Sequence, residues 1–133
     1  MRRIHVAAVS VLAILLVASA ASASGIRRVG PKANGTSITI SRATTLVVSL
    51  QGNPSTGFSW RVQRVTRTVL KPLSVRYLPK KPLPGHIGGG GTYYLRFRAV
   101  GAGTTRLRLV YVRADPTNAV PAKSFSLRVR VPA

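Results

Sequence analysis

Phe125-Ser126-Leu127-Arg128-Val129-Arg130-Val131 is the stretch on which the fold turns. Every second residue is a large apolar one, and serine or arginine stands between them. An extended strand sends successive side chains to opposite faces, so this stretch has one face for a core and one for water. The same period of two runs through 106–111, where Leu107, Leu109 and Tyr111 alternate with Arg106, Arg108 and Val110. It runs through 93–99, where Tyr93, Leu95, Phe97 and Ala99 alternate with Tyr94, Arg96 and Arg98. It recurs in 46–51, in 37–41 around Ile38 and Ile40, and at Trp60 and Val62. Turn formers separate the runs: Gly52-Asn53-Pro54, the prolines of 79–84, the glycines of 85–91, Gly101-Ala102-Gly103, and 115–121. The prolines within 70–84 fit an edge strand followed by a loop. Nothing from Gly25 onward has helical spacing of useful length. Six or seven half-buried strands with regular turns predict an all-β chain, an immunoglobulin-like antiparallel β-sandwich of about seven strands without a disulfide.

Composition narrows the chemistry. The 133 residues suit one small domain. Twenty-one Lys and Arg face a single acidic residue, Asp115, for a formal charge of +20. Apolar residues are 45% of the chain, which is ordinary for a globular protein and argues against disorder. One carboxylate cannot make an acid–base pair or a cation cage. The lack of cysteine removes a thiolate nucleophile, a cysteine zinc site and any disulfide. No metal and no cofactor is expected, and the chain reads as a binder and not as an enzyme.

The first residues read as an export signal. Met1 to His5 is a short basic head, and Val6 to Val17 is apolar but for Ser10. Ala18-Ser19-Ala20 and Ala21-Ser22-Ala23 are small-x-small cleavage sites. The apolar run is shorter than the ~20 residues a spanning helix needs. Residues 1–23 are expected to be a signal peptide and 24–133 a single domain. Loss of the signal removes Arg2 and Arg3 and lowers the charge of +20 by two. The mature chain is then expected to be secreted or periplasmic, in the cell envelope, with no membrane span.

Three loops carry the functional information. Asn53-Pro54-Ser55-Thr56-Gly57-Phe58-Ser59-Trp60 opens with turn formers, has two small hydroxyls at its tip, and holds a glycine suited to positive φ. Phe58 and Trp60 are two apart and so share a face as the chain enters a strand. Read structurally, this is a turn with Trp60 as a core anchor. Gly85-His86-Ile87-Gly88-Gly89-Gly90-Gly91 exposes backbone for close approach, or is simply a flexible connection. Arg113-Ala114-Asp115-Pro116 follows a strand.

The order Asn-Pro-x-Thr-Gly-aromatic-x-Trp at 53–60, a glycine turn before an aromatic strand at 88–97, and Ala-Gly-Thr-Thr-x-Leu-x-Leu-x-Tyr at 102–111 resembles the chagasin-type inhibitors of papain-like cysteine proteases. The resemblance spans Ile38 to Val131. It implies the same disulfide-free sandwich, with three loops at one end forming a wedge for a protease cleft. It implies that Asn53, Pro54, Ser55, Thr56, Gly57 and Phe58 form the central loop, with Ser55 and Thr56 at the catalytic centre. Gly88, Gly89, Gly90 and Gly91 would lie along the substrate groove. Arg113 matches the first position of an Arg-Pro-aromatic loop, whose other two positions are Ala114 and Asp115 here. The departure removes an aromatic anchor of the kind that often dominates binding. The implied function is reversible, non-covalent inhibition by a monomer, with a papain-like cysteine protease as partner.

Other readings remain open. The charge attracts anionic polymers, and Tyr94 beside Arg96 and Arg98 has the look of a stacking platform, yet no motif for specific nucleic-acid binding occurs. His86 and Asp115 with a serine would make a hydrolytic triad, without any Gly-x-Ser-x-Gly elbow. A chain that kept the sandwich and changed its target would be an envelope binding module for anionic polymers or another exported protein.

Overall fold

In the computed structural model, Phe125, Leu127, Val129 and Val131 all point into the core with at most 1% of their surface exposed. They lie on the last of eight strands among the described residues, which are 24–81, 84–85, 89–114 and 120–133. The strands are β1 (Ile26–Val29), β2 (Thr36–Thr39), β3 (Thr45–Gly52), β4 (Phe58–Arg64), β5 (Leu70–Pro79), β6 (Gly91–Ala99), β7 (Gly103–Arg113) and β8 (Lys123–Val131). They form two four-stranded sheets, β1-β3-β6-β5 and β2-β8-β7-β4. The inner faces meet through Leu46, Val48, Leu95 and Phe97 on one side and Leu107, Leu109, Phe125 and Leu127 on the other. Each such side chain contributes roughly 1.5–3 kcal/mol on leaving water.

The sandwich is the expected one, with eight strands where the pattern gave about seven, and with two parallel pairings at its margins. β1 runs parallel to β3, and β2 runs parallel to β8. The cause is a 3-10 turn at Pro31–Ala33 that carries the chain from one sheet to the other. β1 and β2 therefore cannot form a hairpin, and each joins a strand that comes later. β1 shows no alternation because three of its four residues are exposed. β5 is the edge strand its prolines indicated, with a register irregularity between Pro72 and Ser74.

Three valines depart from the simple pattern. Val47, Val110 and Val112 point to outer faces yet are no more than 5% exposed. Val47 lies in register between Arg28 and Arg96. Arginine carries its charge on an aliphatic stem that covers neighbouring apolar surface, so an arginine-rich face still buries carbon. The expected signal, residues 1–23, lies outside the described residues.

Candidate functional site

The β3–β4 connection is held by its own side chains. Asn53 has an extended backbone, φ −141° and ψ 100°, and caps a 3-10 turn over Pro54–Thr56. Its Oδ1 accepts from the Ser55 N–H at 3.1 Å and from the Ser55 hydroxyl at 2.6 Å. The Thr56 hydroxyl donates to the Asn53 carbonyl at 2.6 Å. Gly57 closes the turn at φ 83°, a left-handed conformation that strains any residue with a Cβ. Pro54 fixes one more torsion at the first position of the turn. The tip hydroxyls are exposed but their protons are already committed within the loop, so a partner meets them as acceptors.

Beneath the loop sits a stack of three rings. Tyr111 of β7 lies 5.4 Å from Phe58 and 5.2 Å from Trp60, centroid to centroid. Its hydroxyl reaches up to the loop, accepting from the Asn53 N–H at 2.8 Å and donating to the Asn53 carbonyl at 3.3 Å. Trp60, only 5% exposed, donates its Nε1–H to the Gln51 carbonyl at 2.9 Å. Both ends of the connection are thus tied to rings of the β4–β7 sheet. Phe58 and Trp60 share a face, and Trp60 is the core anchor expected. Sequence reasoning gave Tyr111 no part in the site. Its one signal is a tyrosine, not an aliphatic residue, at the end of an inward-facing run. Tyr93 on β6 lies close to Gly52, where an added Cβ would come within 2.6 Å of its ring. Burial, then the phenols of Tyr111 and Tyr77, push the Tyr93 phenol above its ordinary value of about 10, so it is neutral at physiological pH.

The neighbouring segments converge on the same pole. Gly91 pairs across from Gly52 on one side and Pro79 on the other, so the base of the β5–β6 connection stands beside the central loop. Gly90 has φ 69°, and a Cβ there would lie 2.8 Å from the Gly52 carbonyl oxygen and 3.3 Å from the Asn53 side chain. The Lys80 N–H closes the turn on the Gly90 carbonyl at 2.9 Å. On the other flank the Ala114 N–H donates to the Gly57 carbonyl at 3.2 Å. Arg113 is exposed and places its guanidinium 5.1 Å from the centre of the Phe58 ring, a cation–π geometry. Asn53 to Phe58, Gly89 to Gly91 and Arg113 therefore share one end of the sandwich. Gly88, His86 and Asp115 lie outside the described residues.

A rigid pole with a proline-stiffened tip, lateral backbone contacts and an aromatic base is the apparatus of a binding module that presents loops to a concave partner. Residues 39–129 match the chagasin family peptidase inhibitor I42. The chain is 34% identical over 101 residues to amoebiasin-1 of Entamoeba histolytica, covering 74% of this chain and 92% of that protein. Its structure is similar to the cysteine protease inhibitor EhICP2 from Entamoeba histolytica, with a TM-score of 0.72 and 20% identity over 82% of this chain and 97% of that one. PbICP-C, solved in complex with falcipain-2, shares the fold with a TM-score of 0.51 and 17% identity, over 81% and 99% of the two chains. The chain belongs to the chagasin family of peptidase inhibitors and is an inhibitor, not an enzyme. The hydrolytic triad is thereby set aside.

Proposed function

We propose that this chain inhibits papain-like cysteine proteases reversibly and without covalent chemistry, by filling the active-site cleft with the three loops of one pole. Asn53 to Phe58 is the central finger, with Ser55 and Thr56 entering the catalytic centre. Gly88 to Gly91 lies along the substrate groove, where backbone without side chains pairs closely with another chain. Arg113 guards the third side. The family supports a peptidase as the target, and EhICP2 and PbICP-C are relatives in fold whose names and complex point to cysteine proteases.

The observation that carries the reading is the pair of lateral contacts, Gly90 against Gly52 and Ala114 against Gly57, that lock the three segments to one another. A loop whose internal hydrogen bonds are already made loses little entropy on docking, which is where preformed binders gain affinity. A stiff turn that puts no peptide carbonyl over the nucleophile binds and is not cut. An area of about 1,600 Å² is typical of such protease–inhibitor contacts.

The test is inhibition of papain by the purified protein. Competitive kinetics, full recovery of activity on dilution and an uncut inhibitor are expected. A variant carrying Thr56→Ala and Gly57→Ala should keep its circular dichroism spectrum and lose potency at least tenfold. No inhibition of papain or a related enzyme at micromolar concentration, or cleavage within 53–58, would overturn the proposal. We further propose export through the signal in residues 1–23.

A further inference from the structure

The outer face of the β2-β8-β7-β4 sheet, away from the loop pole, carries Arg61, Arg64, Arg106, Arg108, Arg128 and Arg130. Arg106 stands directly across from Arg128, and Arg64 directly across from Arg108. Like charges facing each other across strands destabilise a sheet. The whole sequence has one acidic residue for 21 basic ones, so ion pairing within the chain cannot neutralise this face. Strands lie ~4.8 Å apart and outward positions repeat every ~6.8 Å, so the guanidinium bases form a regular grid. Ser37, Arg128 and Arg106 make one row across three strands. A cavity of about 240 Å³ opens on that row, lined by Gly35, Thr36, Ser37, Ser126, Arg106 and Arg128.

We propose that this face is a second binding site, for an acidic polysaccharide bearing sulfate or carboxylate groups. Guanidinium forks bind both groups in a bidentate manner. The hydroxyls interleaved with them, Ser37, Thr39, Thr104 and Ser126, match a ligand rich in hydroxyls. The outward positions of these four strands hold arginine, serine, threonine, valine and one glutamine but no aromatic residue. Single-stranded nucleic acid is gripped by stacking on aromatic side chains, which this face lacks. The opposite sheet differs, because its basic outer face includes Tyr94 between Arg76 and Ser49. Because the polysaccharide face is distinct from the loop pole, both can be occupied at once, and the inference stands apart from protease inhibition.

The experiment titrates the purified protein with a heparin-derived decasaccharide, with polygalacturonate, and with poly(U) and duplex DNA at equal salt. Binding to one or both polysaccharides at 0.15 M salt, tighter than to either nucleic acid, is expected. The triple variant Arg106→Ser, Arg108→Ser, Arg128→Ser should weaken polysaccharide binding at least thirtyfold. Its slope of log affinity against log salt should fall by about two to three, one for each lost contact. The triple variant Arg76→Ser, Arg96→Ser, Arg98→Ser removes the same charge from the other sheet and should cost threefold or less. Circular dichroism confirms that both are folded, and papain inhibition is expected to be unchanged in both. Equal losses in the two variants would reduce the effect to net charge, and tighter binding to poly(U) or DNA would assign the face to nucleic acid. Either result overturns the proposal, as does an absence of polysaccharide binding at 0.15 M salt.

Discussion

Tyr111→Phe removes one oxygen and leaves the ring stack in place. The Asn53 carbonyl loses a donor at 3.3 Å but keeps the Thr56 hydroxyl at 2.6 Å and the Thr56 N–H at 3.2 Å. The Asn53 N–H loses its 2.8 Å acceptor, in a half-buried position. The cost therefore lies with that donor, about 1–2 kcal/mol from the range for orphaned polar groups. For a domain near 100 residues, 1 kcal/mol moves the melting temperature by roughly 4–8 °C. The same loss frees the base of the central loop, so binding must then reorder it. If the whole penalty is felt on docking, the inhibition constant rises about 5- to 30-fold. Calorimetry and papain inhibition on the same samples measure the two effects. Tyr94→Phe, on an outer face far from the stack, is the control and should change neither. A Tyr111→Phe protein that melts lower yet inhibits as well as the parent would refute the idea that this hydroxyl prepares the loop for its target.

Further expectations follow from other contacts. Gly90→Ala sets a methyl 2.8 Å from the Gly52 carbonyl oxygen at a strained φ of 69°, so it should push the glycine turn off the central loop and weaken inhibition at least tenfold, with a melting temperature a few degrees lower. Arg113→Ala removes an exposed cation from the Phe58 ring, a contact of about 0.5–1 kcal/mol, and should raise the inhibition constant only two- to fivefold. The fold favours the neutral Tyr93 phenol, so its stabilisation is intact below the unfolded value of about 10 and is lost as pH rises through the raised folded value; Tyr93→Phe should flatten the alkaline loss of stability in urea titrations. N-terminal sequencing of the exported protein should begin at Ser24.

Alternation was legible where a strand has one buried face. β6 and β8 have core partners on one side and a polar outer face on the other, and their periods are plain; β3 and β7 alternate in the same way except at Val47, Val110 and Val112. β1 and β2 were not, because they are four-residue margins whose pairing partners lie far along the chain and run parallel. No local pattern encodes that choice. Val110 and Val112 also mislead a simple reading, since both lie on an outer face and are still no more than 5% exposed, Val110 directly opposite Arg61 and Val112 opposite Ser59. At the pole, the central loop was legible because its bonds are local, from Asn53 to Ser55 and Thr56. The hydroxyl of Tyr111 was not, because it acts 58 residues away from Asn53. The placement of Arg113 over Phe58 likewise depends on strand register, with the two residues directly opposite each other.

The division of labour within the central loop bears on how such a molecule changes over generations. Among the described residues the side chains of Ser55 and Thr56 bond to Asn53 alone, and Gly57 is held by its φ of 83° and not by crowding, since an added methyl would meet nothing within 4 Å. What the fingertip displays is thus set by bonds within the loop, outside the core that holds the two sheets together. Substitution at Ser55 and Thr56 can change what a partner would meet, while the asparagine and the three rings below keep the hand that points them.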